Sequence, residues 1–284
     1  MEEKMGDDVP TGDILNPRLP GQRPVLNPWP PFPLSPMFIT LGRLPDHPTA
    51  IARAARLAGL APADGARLLA GTFPRILLRV ATEPDALIAA LTAEGFLAWA
   101  SDPAEVTTDA RRVLVRDLTW TADGFLAQDA QGASHACPFT AVRLLQRGAR
   151  THTSTEIEKT TTRQLSLGRA VLSGGMMLTK KVTQTTERTT HAKEPFLLVQ
   201  RQDGAPDLIM YEHRLSYQCL GAEMGPATLA NLGLLTARFQ KLCPQAPLDD
   251  RVGRPGFVAG LPLMTADPVD LGLFLVSEAR YRGC

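Results

Sequence analysis

His135 and Cys137 are the pair of side chains in this chain whose types could perform nucleophilic chemistry. They lie two residues apart in "SHACPFT", which is typical of a strand. Side chains two apart on a strand share one face, so an imidazole there could in principle accept a proton from the thiol. A shared face alone does not make a nucleophile, and we therefore predict that this pair is structural.

Other catalytic or metal-binding patterns are absent from the sequence. It contains no G-x-x-x-x-G-K-[ST], no H-E-x-x-H and no G-x-S-x-G. The glycines of "GRPGFVAG" have the wrong spacing for a dinucleotide-binding loop, and Asp249–Asp250 precedes Arg251 in a way that favours a turn over a metal site. We therefore predict a protein that is not an enzyme, with no catalytic residue, cofactor or metal.

Composition and cysteine spacing narrow the class of protein. The 284 residues carry a net charge of +1, and basic patches with interleaved aromatic residues are missing, so we predict no nucleic-acid binding. Four cysteines without a C-x-x-C pair argue against a disulfide framework and against a zinc site. Residues 1–20 lack the apolar core of a secretory signal, and no apolar run reaches the ~18 residues of a spanning helix. These features predict a cytoplasmic protein.

The elements that position any site begin after a proline-rich leader. Residues 1–36 contain "NPRLPGQRPVLNPWPPFPLSP", which is too rich in proline for a helix or a central strand, so we predict a disordered leader. Residues 37–102 then predict a small α/β domain in the order strand, helix, helix, strand, helix, strand.

A family resemblance covers about 60 residues of this small domain. Gly59-Leu60 follows the first helix, Ala66 lies in the second, Phe73-Pro74 precedes a strand and Gly95 precedes the last strand. This pattern resembles the carboxyl-terminal domain of the bacterial ribosomal stalk protein, a fold that the ClpS protease adaptors share. The resemblance implies the fold. The stalk family recruits translation factors through lysines on its two helices, whereas the matching second helix here carries Asp64 and Gly65.

Residues 105–250 predict a second domain that is rich in short strands. "RRVLVRDLTW", "GFLAQDA", "SHACPFT" and "AVRLLQRGA" are separated by turn residues, and "FLLVQR" and "LIMYEH" follow later. An amphipathic helix comes next, with Leu229, Leu232, Leu235, Phe239 and Leu242 at three- and four-residue steps. Short strands followed by one such helix resemble the bacterial pleckstrin-homology-like β-barrel. Residues 251–284 predict loops and a short helix that packs back on this domain, and the fold class is α+β.

A long hairpin interrupts the second domain. Residues 151–193, which we call the arm, consist of two threonine-rich segments that are polar on both faces and flank the apolar centre "LSLGRAVLSGGMML" at 165–178. Two such segments cannot both be buried, so we predict that they pair as a projecting hairpin. The arm has seven Lys or Arg residues and three Glu residues, a net charge of +4.

The apolar centre has three interpretations. It could be core folded against the barrel, a docking tip for a partner or a second copy, or a tip that contacts an anionic membrane surface. We predict a non-catalytic adaptor or scaffold that binds a protein partner or its own copies through residues 162–186, with a peripheral membrane protein as the alternative. The candidate binding residues are Leu165, Leu167, Arg169, Val171, Leu172, Met176, Met177, Leu178, Lys180 and Lys181.

Overall fold

A computed structural model describes residues 36–81, 83–165, 179–262 and 267–283, with the backbone alone for 152–165 and 179–191. The predicted leader lies outside the described residues, apart from Pro36. The same holds for residues 166–178, which make up nearly all of the apolar centre of the arm.

Residues 37–102 contain the six elements that their pattern predicts. They are β1 (Met37–Arg43), α1 (Ala50–Leu57), α2 (Pro62–Leu68), β2 (Arg75–Val80), α3 (Asp85–Ala93) and β3 (Leu97–Ser101). The three strands form an antiparallel sheet in the order β2-β1-β3. Gly59 and Gly95 follow α1 and α3 with φ of 67° and 85°, a left-handed conformation that glycine adopts without steric cost.

The rest of the chain builds a seven-stranded sheet that curls into a half barrel. Its strands are β4 (Val113–Trp120), β5 (Gly124–Asp129), β6 (Ser134–Pro138), β7 (Val142–Leu165), β8 (Thr179–Arg201), β9 (Leu208–Tyr211) and β10 (Leu248–Asp249). The order is β10-β7-β8-β9-β4-β5-β6. Two antiparallel meanders, β4-β5-β6 and β7-β8-β9, are joined by parallel pairing of β4 with β9. The predicted α+β class is confirmed.

Both faces of the large sheet are covered, because successive residues of its central strands alternate between two cores. Leu197 and Val199 of β8 belong to the core that contains α4 (Thr228–Leu242). Phe196 and Leu198 belong to the core that contains α5 (Pro268–Tyr281), to which the small sheet also contributes. The prediction that the last helix packs back on the strand-rich domain is therefore confirmed.

The predicted amphipathic helix is present as α4, with one correction. Leu232, Leu235 and Phe239 are buried against the sheet, as the spacing indicates. Leu229 was expected on the same buried stripe, but it is 60% exposed. It lies in the first turn of α4, where it lines an open groove instead of the core.

Within the described ranges, no helix has the length and hydrophobicity that a membrane crossing requires.

Candidate functional site: the arm and its root

The arm is a continuous two-stranded ladder. From Leu144↔Gln200 to Leu165↔Thr179, β7 and β8 pair without a change of register. On β8, the pairing with β9 covers only residues 196–199, and on β7 the pairing with β10 covers only residues 145–146. In the part of the chain that the structure describes, the arm strands therefore pair only with each other. Beyond Arg150↔Glu194 the ladder continues for 15 residues of β7, or about 50 Å at ~3.3 Å per residue. The predicted pairing of the two threonine-rich segments is confirmed, and the connection between them lies outside the described residues.

The two-stranded arm must be stabilised by contacts with the body of the protein. Threonine favours extended backbone because its branched Cβ restricts χ1, which explains why this sequence forms strands. An isolated two-stranded ladder is nonetheless only marginally stable in water, because it has no second layer to bury a face against. The arm therefore depends on how firmly its first residues are held by the body.

The register gathers basic residues at the far end of the described ladder. Arg163 is paired with Lys181, and Gln164 with Lys180. Like charges at directly opposed positions destabilise a ladder unless an anion lies nearby. The last described pair is Leu165↔Thr179, so three of the predicted binding residues, Leu165, Lys180 and Lys181, lie within two rungs of each other.

The other seven predicted binding residues lie outside the described residues. They are Leu167, Arg169, Val171, Leu172, Met176, Met177 and Leu178.

A group of charged and polar residues, buried at Arg112, Tyr211 and Asp270 and more exposed at Asp109 and Asp267, anchors the base of the arm. We call it the arm root, and it consists of Asp109, Arg112, Arg150, Tyr211, Asp267 and Asp270. Arg150 is the last β7 residue before the arm begins. Its Nη1 lies 2.8 Å from Asp267 Oδ2, its Nη2 lies 2.8 Å from Asp270 Oδ1, and its Nε donates to the Tyr211 hydroxyl at 2.9 Å.

A second arginine completes the arm root. Arg112 Nη1 donates to Asp270 Oδ1 at 2.5 Å and to Asp109 Oδ1 at 2.7 Å, while Nη2 donates to the Thr107 carbonyl. The Tyr211 hydroxyl donates to Asp109 Oδ2. The side chains of Arg112 and Asp270 are each 3% exposed. The arm root thus connects β7, β9, α5 and the turn before β4, and the Arg112–Asp270 pair at its centre is shielded from solvent.

Charge states in the arm root follow from this geometry. Burial alone would raise the pKa of Asp109, but the Tyr211 hydrogen bond and the charges of Arg150 and Arg112 lower that pKa below its ordinary value. Burial alone would lower the pKa of Arg150. The hydrogen bond to Asp270 and the negative charge of Asp270 have a larger opposite effect, so the pKa of Arg150 is raised above its ordinary value. Both groups are therefore ionised at neutral pH, and the root is held by full charges.

The opposite strand of the arm is held at the same level. Glu194, the ladder partner of Arg150, accepts from Arg214 at 2.9 Å, and the Arg214 guanidinium lies 4.8 Å from the centre of the Tyr211 ring. Tyr211 therefore contacts the arginines that hold each of the two arm strands.

Sequence reasoning did not find the arm root. Asp267 is followed by Pro268, and its side chain accepts from the Val269 amide at 2.7 Å, which is a recognisable start of a helix. That signal predicts the position of the helix but not its neighbours. Arg150 and Asp270 are 120 residues apart, and no local pattern connects them.

The residues that suggested nucleophilic chemistry have other partners. His135 Nε2 lies 2.9 Å from Asp129 Oδ2, and Cys137 donates to the Pro138 carbonyl. Burial raises the pKa of the Cys137 thiol to about 11, which disfavours the reactive thiolate. Asp249 was expected in a turn. It is instead buried in β10, where Arg251 and Arg280 each approach it to 2.8 Å.

No group of three or more metal-ligating side chains is found among the described residues. Comparisons with family models, with curated proteins and with solved structures found no match for this chain. Its function must therefore be argued from the arm and the surfaces around it.

Proposed function

We propose that this protein is a cytoplasmic, non-catalytic adaptor or scaffold that binds other proteins, and copies of itself, through the tip of the arm. The observation that carries this proposal is the ladder itself. It extends 15 residues beyond Arg150 with no other strand beside it in the described residues, and it starts from a set of ion pairs that includes the largely buried pair of Arg150 with Asp270. Such an anchored ribbon presents whatever lies at its end at a distance from the body.

The sequence at that end suits a docking contact. Residues 165–178 include three leucines besides Leu165, one valine and two methionines, interspersed with glycine and serine. Methionine and leucine adapt to irregular partner surfaces, and a contact centre of this kind gains most of its affinity from a few buried apolar side chains. The threonine-rich strands would serve as a polar support.

A second candidate, contact with an anionic membrane surface, is favoured by one observation. The register brings Arg163, Lys180 and Lys181 to the last rungs of the ladder, next to the apolar centre. Each Lys or Arg near an anionic lipid surface contributes roughly 1 kcal/mol, so these residues together could hold the tip at such a surface.

We also propose that the chain joins two kinds of fold, which share the core that contains α5. The order and pairing of β1–β3 with α1–α3 support a fold like that of the ribosomal stalk domain for 37–102. A curled sheet with α4 packed on one face supports a pleckstrin-homology-like fold for 105–250, with 251–284 as an appended segment.

Charge substitutions in the tip test the function. Leu172→Asp and Met177→Asp should leave circular dichroism unchanged and abolish capture of protein partners from native lysate, because a desolvated carboxylate at an apolar contact costs several kcal/mol. Unfolding of both variants would instead place the segment in the core.

A charge reversal separates the two candidates. Lys180→Glu with Lys181→Glu should barely change an apolar protein contact, and it should weaken binding to phosphatidylserine vesicles in a salt-dependent way if the tip contacts membrane. If all three variants behave like wild type in partner capture and in vesicle binding, the arm tip is not the binding site.

A further inference from the structure

A groove with a cavity volume of about 520 Å³ lies beside the base of the arm. Its apolar wall is formed by Pro195 from β8, Leu229 and Leu232 from α4 and Pro255 from the loop after β10, and the lining also contains the charged residues Arg147, Asp250 and Arg254. Gly233 leaves the wall open, since a Cβ added there would meet nothing within 4 Å.

Five large hydrophobic residues are exposed in the described part of the chain, and one of the five lies in the wall of this groove. Leu229 is 60% exposed and forms part of the groove wall. Full burial of a leucine side chain contributes roughly 1.5–3 kcal/mol of free energy. Part of this contribution is missing while Leu229 is exposed, and a partner that covers Leu229 would gain it on binding.

The apolar segment of the arm has the right chemistry for this groove, but it cannot reach the groove of its own chain. Leu165 lies 16 residues beyond Ala149, which lines the groove, so the end of the unbroken ladder is about 50 Å from the groove when measured along the strand. The 13 residues from 166 to 178 leave and re-enter the ladder there. Half of them, fully extended, span only about 23 Å. A tip that enters this groove must therefore come from another copy.

We propose that the groove formed by α4 and the base of the arm is the docking site for the arm tip of a second copy of this chain. This inference rests on the proposed function and names the partner surface. Leucine, valine and methionine side chains of the tip would contact Leu229, Leu232 and the two prolines, while the glycines on both sides allow close approach. Tip and groove are different surfaces of one molecule, so the contact is head-to-tail. It leaves one tip and one groove free at the ends of every open assembly.

Three variants test this arrangement, one in the tip and two in the groove. Leu172→Asp inactivates the tip and leaves the groove intact. Leu229→Asp inactivates the groove, and because that leucine is largely exposed the fold should tolerate the change. Gly233→Gln is a second groove variant that fills the open space and suits the helix better than glycine. Leu234→Asp is the matched control, since Leu234 is 40% exposed on the same helix but does not line the groove.

Light scattering on purified full-length chains gives the readout. We expect the mass of wild type and of Leu234→Asp to rise with concentration, and the tip variant and both groove variants each to remain at 30.7 kDa. Mixing Leu172→Asp with Leu229→Asp should restore one contact, and only one, giving a 1:1 dimer of about 61 kDa, twice the mass of one chain.

The other outcomes are distinct. If Leu229→Asp and Gly233→Gln still associate while Leu172→Asp does not, the tips bind each other and the groove assignment is overturned, although the tip remains a docking element. A wild-type chain that stays monomeric at 100 µM or so overturns self-docking, and partner capture from lysate then decides the adaptor role separately. If no variant alters either association or capture, both proposals fail.

Discussion

Arg150 makes the largest number of ion pairs in the arm root, because it contacts three carboxylates and a tyrosine hydroxyl at the last rung before the arm. Among the described residues, Asp270 forms ion pairs with Arg150 and Arg112, in a position where its side chain is 3% exposed. The Arg150 side chain thus connects the start of α5 to the residue of β7 at which the arm leaves the body.

Replacing Arg150 with methionine should be strongly destabilising. Removal of one partner from a buried ion pair leaves an uncompensated charge, and the expected loss in the free energy of unfolding is about 3–5 kcal/mol. Urea denaturation followed by circular dichroism measures it. Arg254→Met is the control, because Arg254 forms an exposed pair with Asp250 that contributes less than about 1 kcal/mol. Equal losses in the two variants would contradict the assignment of Arg150 as an anchor.

Cys137 and Cys243 should resist alkylation in the native protein. Both are buried, and burial raises the pKa of each thiol to about 11, so at pH 8 the thiolate is scarce and shielded. Peptide mass spectrometry after a short iodoacetamide treatment should find both unmodified, and modified once urea is added. Rapid labelling of either without denaturant would show that its core opens readily.

At the scale of elements, α4 stabilises the fold by burying Phe239 against the large sheet. Phe239 is fully buried and makes edge contacts with Trp120 and Phe125, at ring-centre distances of 5.2 and 5.1 Å. Aromatic pairs in this geometry add to the free energy of burial.

Phe239→Ala should therefore cost about 3–5 kcal/mol, because it removes a large apolar side chain and leaves a cavity that the sheet cannot fill. Denaturant unfolding gives the value. Leu234→Asp, on an exposed position of the same helix, should change it by less than about 1 kcal/mol. A near-neutral Phe239→Ala result would mean that α4 is not packed as described.

Elements with a local signal were predictable from the sequence, and pairings between distant segments were not. The spacing of Leu232, Leu235 and Phe239 indicates α4, and the threonine-rich segments indicate a hairpin. Nothing local indicates that β4 runs parallel to β9 or that β10 pairs with β7, because strand propensity does not encode the neighbour. The arm root was missed for the same reason, and the groove was missed because its key residue, Leu229, continues the helical spacing of buried leucines while facing solvent.

The whole molecule should respond to acid through these ion pairs. The folded-state pKa of Asp109 lies below its ordinary value, so the carboxylate stabilises the fold fully above about pH 3.9, and this contribution is lost as the pH falls through the lower folded-state pKa.

Asp109→Asn should consequently be less stable than wild type at pH 7, and the difference should shrink as the pH falls below 4. Urea midpoints at pH 7, 4.5 and 3 measure it, with Asp64→Asn as a control in an exposed pair on α2. A difference that stays constant across this range would show that the arm root does not depend on the charge of Asp109.

The unbroken register of the arm makes its length a fixed quantity. Each residue pair adds about 3.3 Å to the length of the arm. The number of pairs between Arg150 and the tip therefore sets the distance between the body and the molecule that the tip binds. Deleting one residue from a single strand would shift every later pair and exchange the two faces of the ribbon. Deleting two consecutive residue pairs would preserve the faces and shorten the arm by about 7 Å. The distance between the molecules of an assembly would then change in steps of that size.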